Sequence, residues 1–383
     1  MRVINVAGAR PNFVKIAALV KRTQEHPEIE QLLVHTGQHY DEAMSKQFFD
    51  ELEIPRPDVN LNVGSGTQAE QTGEILKRFE PIVVDYRPDV VVVMGDVNST
   101  IACALAATKL GVAVAHVEAG LRSFDRSMPE EINRVLTDAI SDFLFVTEES
   151  GARNLAREGI PAEKVFFVGN VMIDTLRAHQ AKAERSTIRA RLGLDSDARR
   201  YALVTLHRPS NVDDPAVLEA LLGVLRQIAA ETWVVFPIHP RTRRRIVEAG
   251  CEHYLRSERI LALEPLGYLD FLNLMSHAAW VITDSGGIQE ETTVLGVPCL
   301  TVRPNTERPV TLEEGTNRLV GSDPRKIVEA VAHLDALQRK PARLPKLWDG
   351  HAAERIIGVL LERCVAGGKG KPVFARQKLP AQP

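Results

Sequence analysis

Apolar runs of strand length alternate with amphipathic segments of helix length along nearly the whole chain, and that alternation limits the fold. In the first half the runs fall at 2–7, 31–36, 89–94, 112–117, 143–147 and 165–168. In the second half they fall near 201–206, 233–237, 260–262, 280–283 and 298–302. The run at 90–94 is almost wholly apolar and β-branched, as a strand covered on both faces of a parallel sheet should be. Each run leads through a turn into a helix-like segment, so each half predicts a doubly wound α/β domain. Residues 177–200 are charged and helix-forming with no strand signal, and they mark the join. A length of 383 residues suits two domains of roughly 150–200 residues better than one core. We therefore expect α/β architecture with two Rossmann-like domains, at 1–175 and 176–350, facing a central cleft that takes a ligand at the strands' carboxyl ends. A late helix at 351–366 precedes a tail at 367–383, rich in Lys, Gly and Pro, that we expect to be disordered.

With a formal net charge of −3 the chain has no basic field for nucleic acid or an anionic membrane, so an anionic ligand must be held by local groups. Cys103, Cys251, Cys299 and Cys364 are scattered, without metal-ligand or redox spacing. They read as small buried hydrophobes in a reducing cytoplasm. The N-terminus runs straight into a strand, which predicts no signal peptide, and no apolar run approaches the ~20 residues of a membrane helix.

The stretch WVITDSGGIQEE at 280–291 reads as strand, tight turn and helix. Two glycines let the backbone come close to a ligand, and the free N–H groups of a helix's first turn suit a phosphate or diphosphate. The plainer alternative is an N-cap at Asp284 or Ser285 with glycines that only close the turn. Other polar residues gather at strand ends. Arg10 and Lys15 follow the first strand, where they could face an anion or simply be solvated. Asp96 and Glu118 end two adjacent apolar strands, and an acid there is costly unless paired or functional. A polar loop at 121–129 leads to Glu130 and Arg134, spaced i and i+4, which alone could be a surface helix pair. His207 and His239 end two strands of the second half, each closely followed by arginine.

In order and spacing, these segments resemble the non-hydrolysing UDP-N-acetylglucosamine 2-epimerases. The matching segments are GARPNFVK at 8–15, TGQH at 36–39, GD at 95–96, HVEAGLRS at 116–123, PEEINR at 129–134, VGN at 168–170, LHR at 206–208, SGGIQEE at 285–291, LGVPCL at 295–300 and RPNTERP at 303–309. The resemblance implies a GT-B-like fold whose last helix crosses back to the first domain. It implies reversible C2 epimerisation of UDP-GlcNAc to UDP-ManNAc through elimination and re-addition of UDP, without cofactor or metal, by a homodimer serving polysaccharide synthesis. It casts Asp96, Glu118, Glu130 and His207 as catalytic. Arg10, Lys15, Arg134, His239, Phe271, Ser285, Gly286, Gly287, Glu291 and Arg308 become substrate-binding residues, with Phe271 by the uracil and Glu291 on the ribose. A hydrolysing epimerase, a GT-B glycosyltransferase and a non-catalytic UDP-sugar sensor are the alternatives.

The chain departs from that family where many members bind a second, activating UDP-GlcNAc. Pro209-Ser210 stands in place of Arg-Glu, and Glu70 in place of an arginine before Gln71-Thr72. Gln38, His39 and Gln71 remain as a possible effector site, but the changes lead us to expect weak activation and hyperbolic kinetics.

Overall fold

The computed structural model describes residues 1–8, 10–37, 48–196, 199–334 and 343–364. The tail expected at 367–383 lies outside them. The chain divides into two compact units, Met1–Thr175 with Lys346–Pro383 and Leu176–Pro345. Each is a parallel sheet flanked by helices, so the fold class is α/β, Rossmann-like twice over and GT-B-like, as the alternation and the motifs led us to expect.

In the first unit the strands are β1 (Arg2–Ala7), β2 (Glu30–His35), β3 (Val59–Asn60), β4 (Val90–Met94), β5 (Ala113–Ala119), β6 (Phe143–Val146) and β7 (Val165–Phe167), in the order β3-β2-β1-β4-β5-β6-β7. The β4 side chains are buried throughout, because helices cover both faces of a central parallel strand. In the second unit β8 (Tyr201–Thr205), β9 (Trp233–Pro237), β10 (Ile260–Leu263), β11 (Trp280–Thr283), β12 (Cys299–Thr301) and β13 (Asn317–Leu319) take the order β10-β9-β8-β11-β12-β13. Strand order reverses between β1 and β4 in one sheet and between β8 and β11 in the other, and doubly wound folds bind ligands at such points. The edge strands β3 and β13 went unseen in the sequence. One has two residues, and the other reads Asn-Arg-Leu with no apolar run.

The segment expected as a join, 177–200, belongs to the second unit and contains the end of one helix, Val171–Ala183, and a short one, Ile188–Arg191. The last helix, Ala352–Cys364, belongs to the first unit and packs on the helix Arg10–Gln24. Asp174 caps it, accepting from Ala352 N at 3.1 Å and Ala353 N at 2.7 Å. Burial lifts that carboxyl to about 6 even though both N–H groups favour its anion. Cys103, Cys251 and Cys299 are buried, whereas Cys364 is half-buried. Among the described residues no helix is long and apolar enough to cross a membrane.

Candidate functional site

In the first unit the polar groups collect beyond the carboxyl ends of β1, β4 and β5. Asn12 Nδ2 donates to Met94 O at 3.1 Å and ties the first helix to the end of β4. Lys15 and Glu118 form a buried ion pair, with side chains 7% and 2% exposed. A Cβ at Gly95, whose φ is +67°, would lie 3.0 Å from Lys15 Nζ and 3.1 Å from Glu118 Oε2, so glycine gives the pair its room. Glu118 itself has φ +71° at a register shift between Val117 and Ala119. A non-glycine residue there costs about 1–2 kcal/mol, and a bulge re-aims a side chain out of the strand's alternation.

Asp96 lies one residue on. Its Oδ2 takes Arg134 Nη2 at 2.9 Å and Nε at 3.1 Å, and its side chain keeps 27% exposure. Arg134 is not half of a surface pair with Glu130: it is buried, and its ion pairs run to Glu131 and Asp96. The spacing misled because the helix Pro129–Ile140 turns that face toward β4 rather than to solvent. Glu130 sits half-buried in the first turn.

Three buried groups that the sequence reading passed over lie behind these. His116 Nδ1 faces Asp138 Oδ1 at 2.6 Å and Nε2 faces Gly95 O at 2.8 Å, so both ring nitrogens meet acceptors. Asp138 also receives Gly120 N at 3.0 Å and Arg122 Nη2 at 2.7 Å. Burial alone would raise the Asp138 carboxyl, yet His116 and Arg122 hold it below the usual range. The motif HVEAGLRS carries His116 and Arg122, but only the fold shows that they share Asp138.

Of the remaining residues expected in this unit, Gln38 and His39 lie outside the described residues, as does the Arg10 side chain. Gln71 is buried and its amide is engaged: Nε2 donates to Gly64 O and Oε1 accepts from Asn98 Nδ2, both at 3.0 Å.

In the second unit the strand-order reversal is built around Asp284, which is fully buried. It accepts from His207 N and Arg208 N, each at 2.9 Å, and from Asn211 Nδ2 at 3.1 Å, while His207 Nδ1 pairs with Oδ1 at 2.7 Å. Burial opposes the anion, but His207 and the two N–H groups bring the carboxyl down to about 2. Asp284 is therefore no N-cap; it joins the end of β8 to the end of β11. Ser285 takes the N-cap position of the helix Gly286–Leu295, with no capping bond from its side chain.

Gly286 is required by a close approach. A Cβ there would lie 2.5 Å from Arg308 Nη1 and 3.2 Å from Glu307 Oε1. Arg308 is buried against the turn, its Nε 2.7 Å from Glu290 Oε1 and its Nη1 2.6 Å from Glu307 Oε1. Glu307 also pairs with Arg303 at 2.7 Å. Glu291 is buried one helical turn on and accepts from Tyr268 Oη at 2.9 Å. Burial lifts its carboxyl to about 7, Tyr268 opposing and the Glu290 charge assisting. His239 caps the helix Pro240–Glu248, accepting from Arg241 N at 3.2 Å, and its ring centroid is 5.6 Å from that of His207. Phe271 lies half-buried on the helix Tyr268–His277.

Thus this unit presents glycine backbone, a helix N-terminus and a buried arginine at the point where its strand order reverses. A profile described as UDP-N-acetylglucosamine 2-epimerase matches residues 21–361. The chain belongs to that family, and it is an epimerase. It is 45% identical to the UDP-N-acetylglucosamine 2-epimerase of Methanocaldococcus jannaschii, over 94% of this chain and 99% of the relative. A crystal structure of the M. jannaschii UDP-GlcNAc 2-epimerase in complex with UDP-GlcNAc and UDP superposes with a TM-score of 0.88 at 44% identity, over 94% of this chain and 100% of the other. The chain is also 42% identical to the UDP-2,3-diacetamido-2,3-dideoxy-D-glucuronate 2-epimerase of Pseudomonas aeruginosa, over 86% of this chain and 91% of the relative.

Proposed function

We propose that this epimerase interconverts UDP-GlcNAc and UDP-ManNAc by eliminating UDP and adding it back. The observation that carries the reading is the Ser285–Gly286–Gly287 turn at the β8/β11 reversal, with Arg308 packed against Gly286. As the C1–O bond breaks, negative charge grows on the leaving diphosphate. First-turn N–H groups and a buried guanidinium, already in place, stabilise that charge without reorganising. His207 serves beside the diphosphate, Glu291 receives the ribose hydroxyls, and Phe271 lies along the uracil.

The acid–base work falls to Asp96, Glu118 and Glu130. One carboxylate removes the C2 proton while UDP departs with the C1–O electron pair, leaving a 2-acetamidoglucal. A carboxylic acid then protonates C2 from the opposite face, and UDP returns to C1. The proton and electron pair balance within the cycle, so no redox cofactor is consumed. Lys15 pairs with Glu118 and Arg134 with Asp96, and these partners bias which carboxyl holds the proton. The enzyme is read as a cytoplasmic homodimer, and light scattering after size exclusion tests the assembly.

Proton NMR of UDP-GlcNAc turnover in deuterated water is the test. Epimerisation puts deuterium at C2 and yields a product that is again a UDP-sugar, whereas free N-acetylmannosamine would mark a hydrolase. Because the P. aeruginosa relative is nearly as similar as the M. jannaschii one, UDP-2,3-diacetamido-2,3-dideoxy-D-glucuronate is the second substrate to offer. Preference for it in kcat/KM would replace UDP-GlcNAc in the reading without changing the chemistry at C2.

A further inference from the structure

Glu131 follows Glu130 on the helix Pro129–Ile140 but turns inward and is 2% exposed. Its carboxylate gathers four donors. Oε2 accepts from Ser123 N at 3.0 Å and Ser123 Oγ at 3.1 Å, Oε1 accepts from Phe124 N at 2.9 Å, and Arg134 completes the set with an ion pair. Two features depend on it. Phe124 has φ +59°, a conformation that costs a non-glycine residue about 1–2 kcal/mol. Its side chain is 74% exposed, so packing does not hold it there; the bond from its N–H to Glu131 does. Arg134 is shared between Glu131 and Asp96, so the place of the Asp96 carboxylate follows that of Arg134.

We infer that Glu131 is a positioning residue for the acid–base group. It fixes Asp96 through Arg134, and through the Ser123–Phe124 turn it fixes the loop that delivers Glu130. The inference rests on the reading of Asp96 and Glu130 as acid–base carboxylates. Among the described residues, the charged groups around Asp96 include Arg134, Glu131 and Glu130 on the helix Pro129–Ile140, the Lys15–Glu118 pair against Gly95, and His116 on the Gly95 carbonyl with Asp138 behind it. Removing the Glu131 charge gives Asp96 a larger share of Arg134, which favours the Asp96 anion.

The experiment compares full-length E131Q with the parent. UDP affinity should stay within about two-fold while kcat falls about 10–10²-fold, because the loss is in geometry at the reacting carbon. The ¹³C resonance of the Asp96 carboxyl, followed by pH titration in the unliganded protein, should move to lower pH by about half a unit or more. A folded E131Q with kcat within about two-fold of the parent, or with an unmoved Asp96 titration, overturns the inference. E131D keeps the charge on a shorter arm, so it should lose kcat about five-fold or more with the titration unmoved, and parental kcat there also overturns it. If E131Q does not fold, E131D decides alone. A parent that epimerises no UDP-sugar sinks the proposed function instead, and the Asp96 titration still reads the Glu131 contact.

Discussion

Where strand order reverses, the first unit presents charged side chains and the second presents backbone. Asp96, Glu118, Lys15 and Arg134 crowd the ends of β4 and β5, each carboxylate matched with a cation. At β8 and β11 the carboxylate Asp284 is held inside the turn by backbone N–H groups, and a helix N-terminus with the buried Arg308 packed against it stands there instead. The same topology thus supports two kinds of chemistry. In the proposed reaction the titratable pairs would move protons, and the fixed donors would hold a diphosphate whose charge changes as the C1–O bond breaks. The contrast teaches that topology gives the place, while the residues that close the turn decide what the place does.

The largest effects should come from removing a carboxylate of the first unit. D96N and E130Q should each lower kcat by about 10²-fold or more while UDP affinity, which the proposed function assigns to the second unit, stays within about three-fold. E118Q should do the same at a further cost, because it leaves Lys15 buried without its charge partner, a loss of about 3–5 kcal/mol in stability. Calorimetric unfolding beside steady-state kinetics separates the two losses. Near-parental kcat in E130Q would move Glu130 out of the acid–base group.

The mirror experiment strikes the backbone site. In G286V the new side chain would meet the Arg308 guanidinium, since even a Cβ would lie 2.5 Å from Nη1. Arg308 must then leave the turn or the diphosphate must, and UDP should bind about 10²-fold more weakly by isothermal titration. An unchanged UDP affinity would break the comparison at its root.

A smaller effect lies in pH. Glu291 has its carboxyl raised from 4.5 to about 7 by burial, so the folded state binds that proton more tightly than the unfolded chain does. Its contribution to stability is full below 4.5 and is lost as pH rises to about 7, on the order of 3 kcal/mol. Ribose hydroxyls donating to Glu291 favour the anion, so UDP binding should release a proton and tighten up to about ten-fold as pH rises through that window. The same titration on E291Q removes the phosphate's own ionisation from the comparison. An identical pH slope in E291Q would take the ribose away from Glu291.

Most strands of both sheets and the polar turns at their carboxyl ends were legible because buried parallel strands write themselves as β-branched runs, and because glycines mark the turns, whereas the strand order came from the fold alone. Val90–Met94 and Trp280–Gly287 are the clearest cases. The motifs also pointed to Asp96, Glu118 and Gly286. What stayed hidden were the partners. Nothing in the spacing says that Arg134 reaches Asp96 across 38 residues, that Asp284 gathers N–H groups from 207 and 208, or that Gly286 exists to admit Arg308. Pairing of that kind is set by the fold, and a periodic pattern records only which face is apolar. Glu131 was the harder miss, since a second glutamate beside Glu130 reads as one more solvated acid until its four donors are seen.

The smallest effect concerns Glu70, which bears on whether a second UDP-GlcNAc activates the enzyme. Its carboxylate accepts from Thr67 N at 2.9 Å, and Thr67 Oγ1 accepts from Glu70 N, the reciprocal cap at the start of the helix Gln68–Tyr86. The cap draws that carboxyl below its usual range, so an anion nearby meets a settled negative charge rather than an arginine. Gln71 beside it already serves Gly64 and Asn98. Each charge-assisted hydrogen bond missing at such a site costs roughly 1.5–3 kcal/mol, and two missing bonds weaken a second nucleotide sugar by ~100-fold or more. Kinetics should therefore be hyperbolic, and pure UDP-ManNAc should react without added UDP-GlcNAc. E70Q keeps an acceptor for Thr67 N and removes only the charge, so kcat should stay within about two-fold and effector binding should remain weak for want of a cation. The decisive record is the first minute from UDP-ManNAc. A lag that trace UDP-GlcNAc abolishes would show a working effector site built from other residues, and with it a regulatory role for the first unit beyond moving protons.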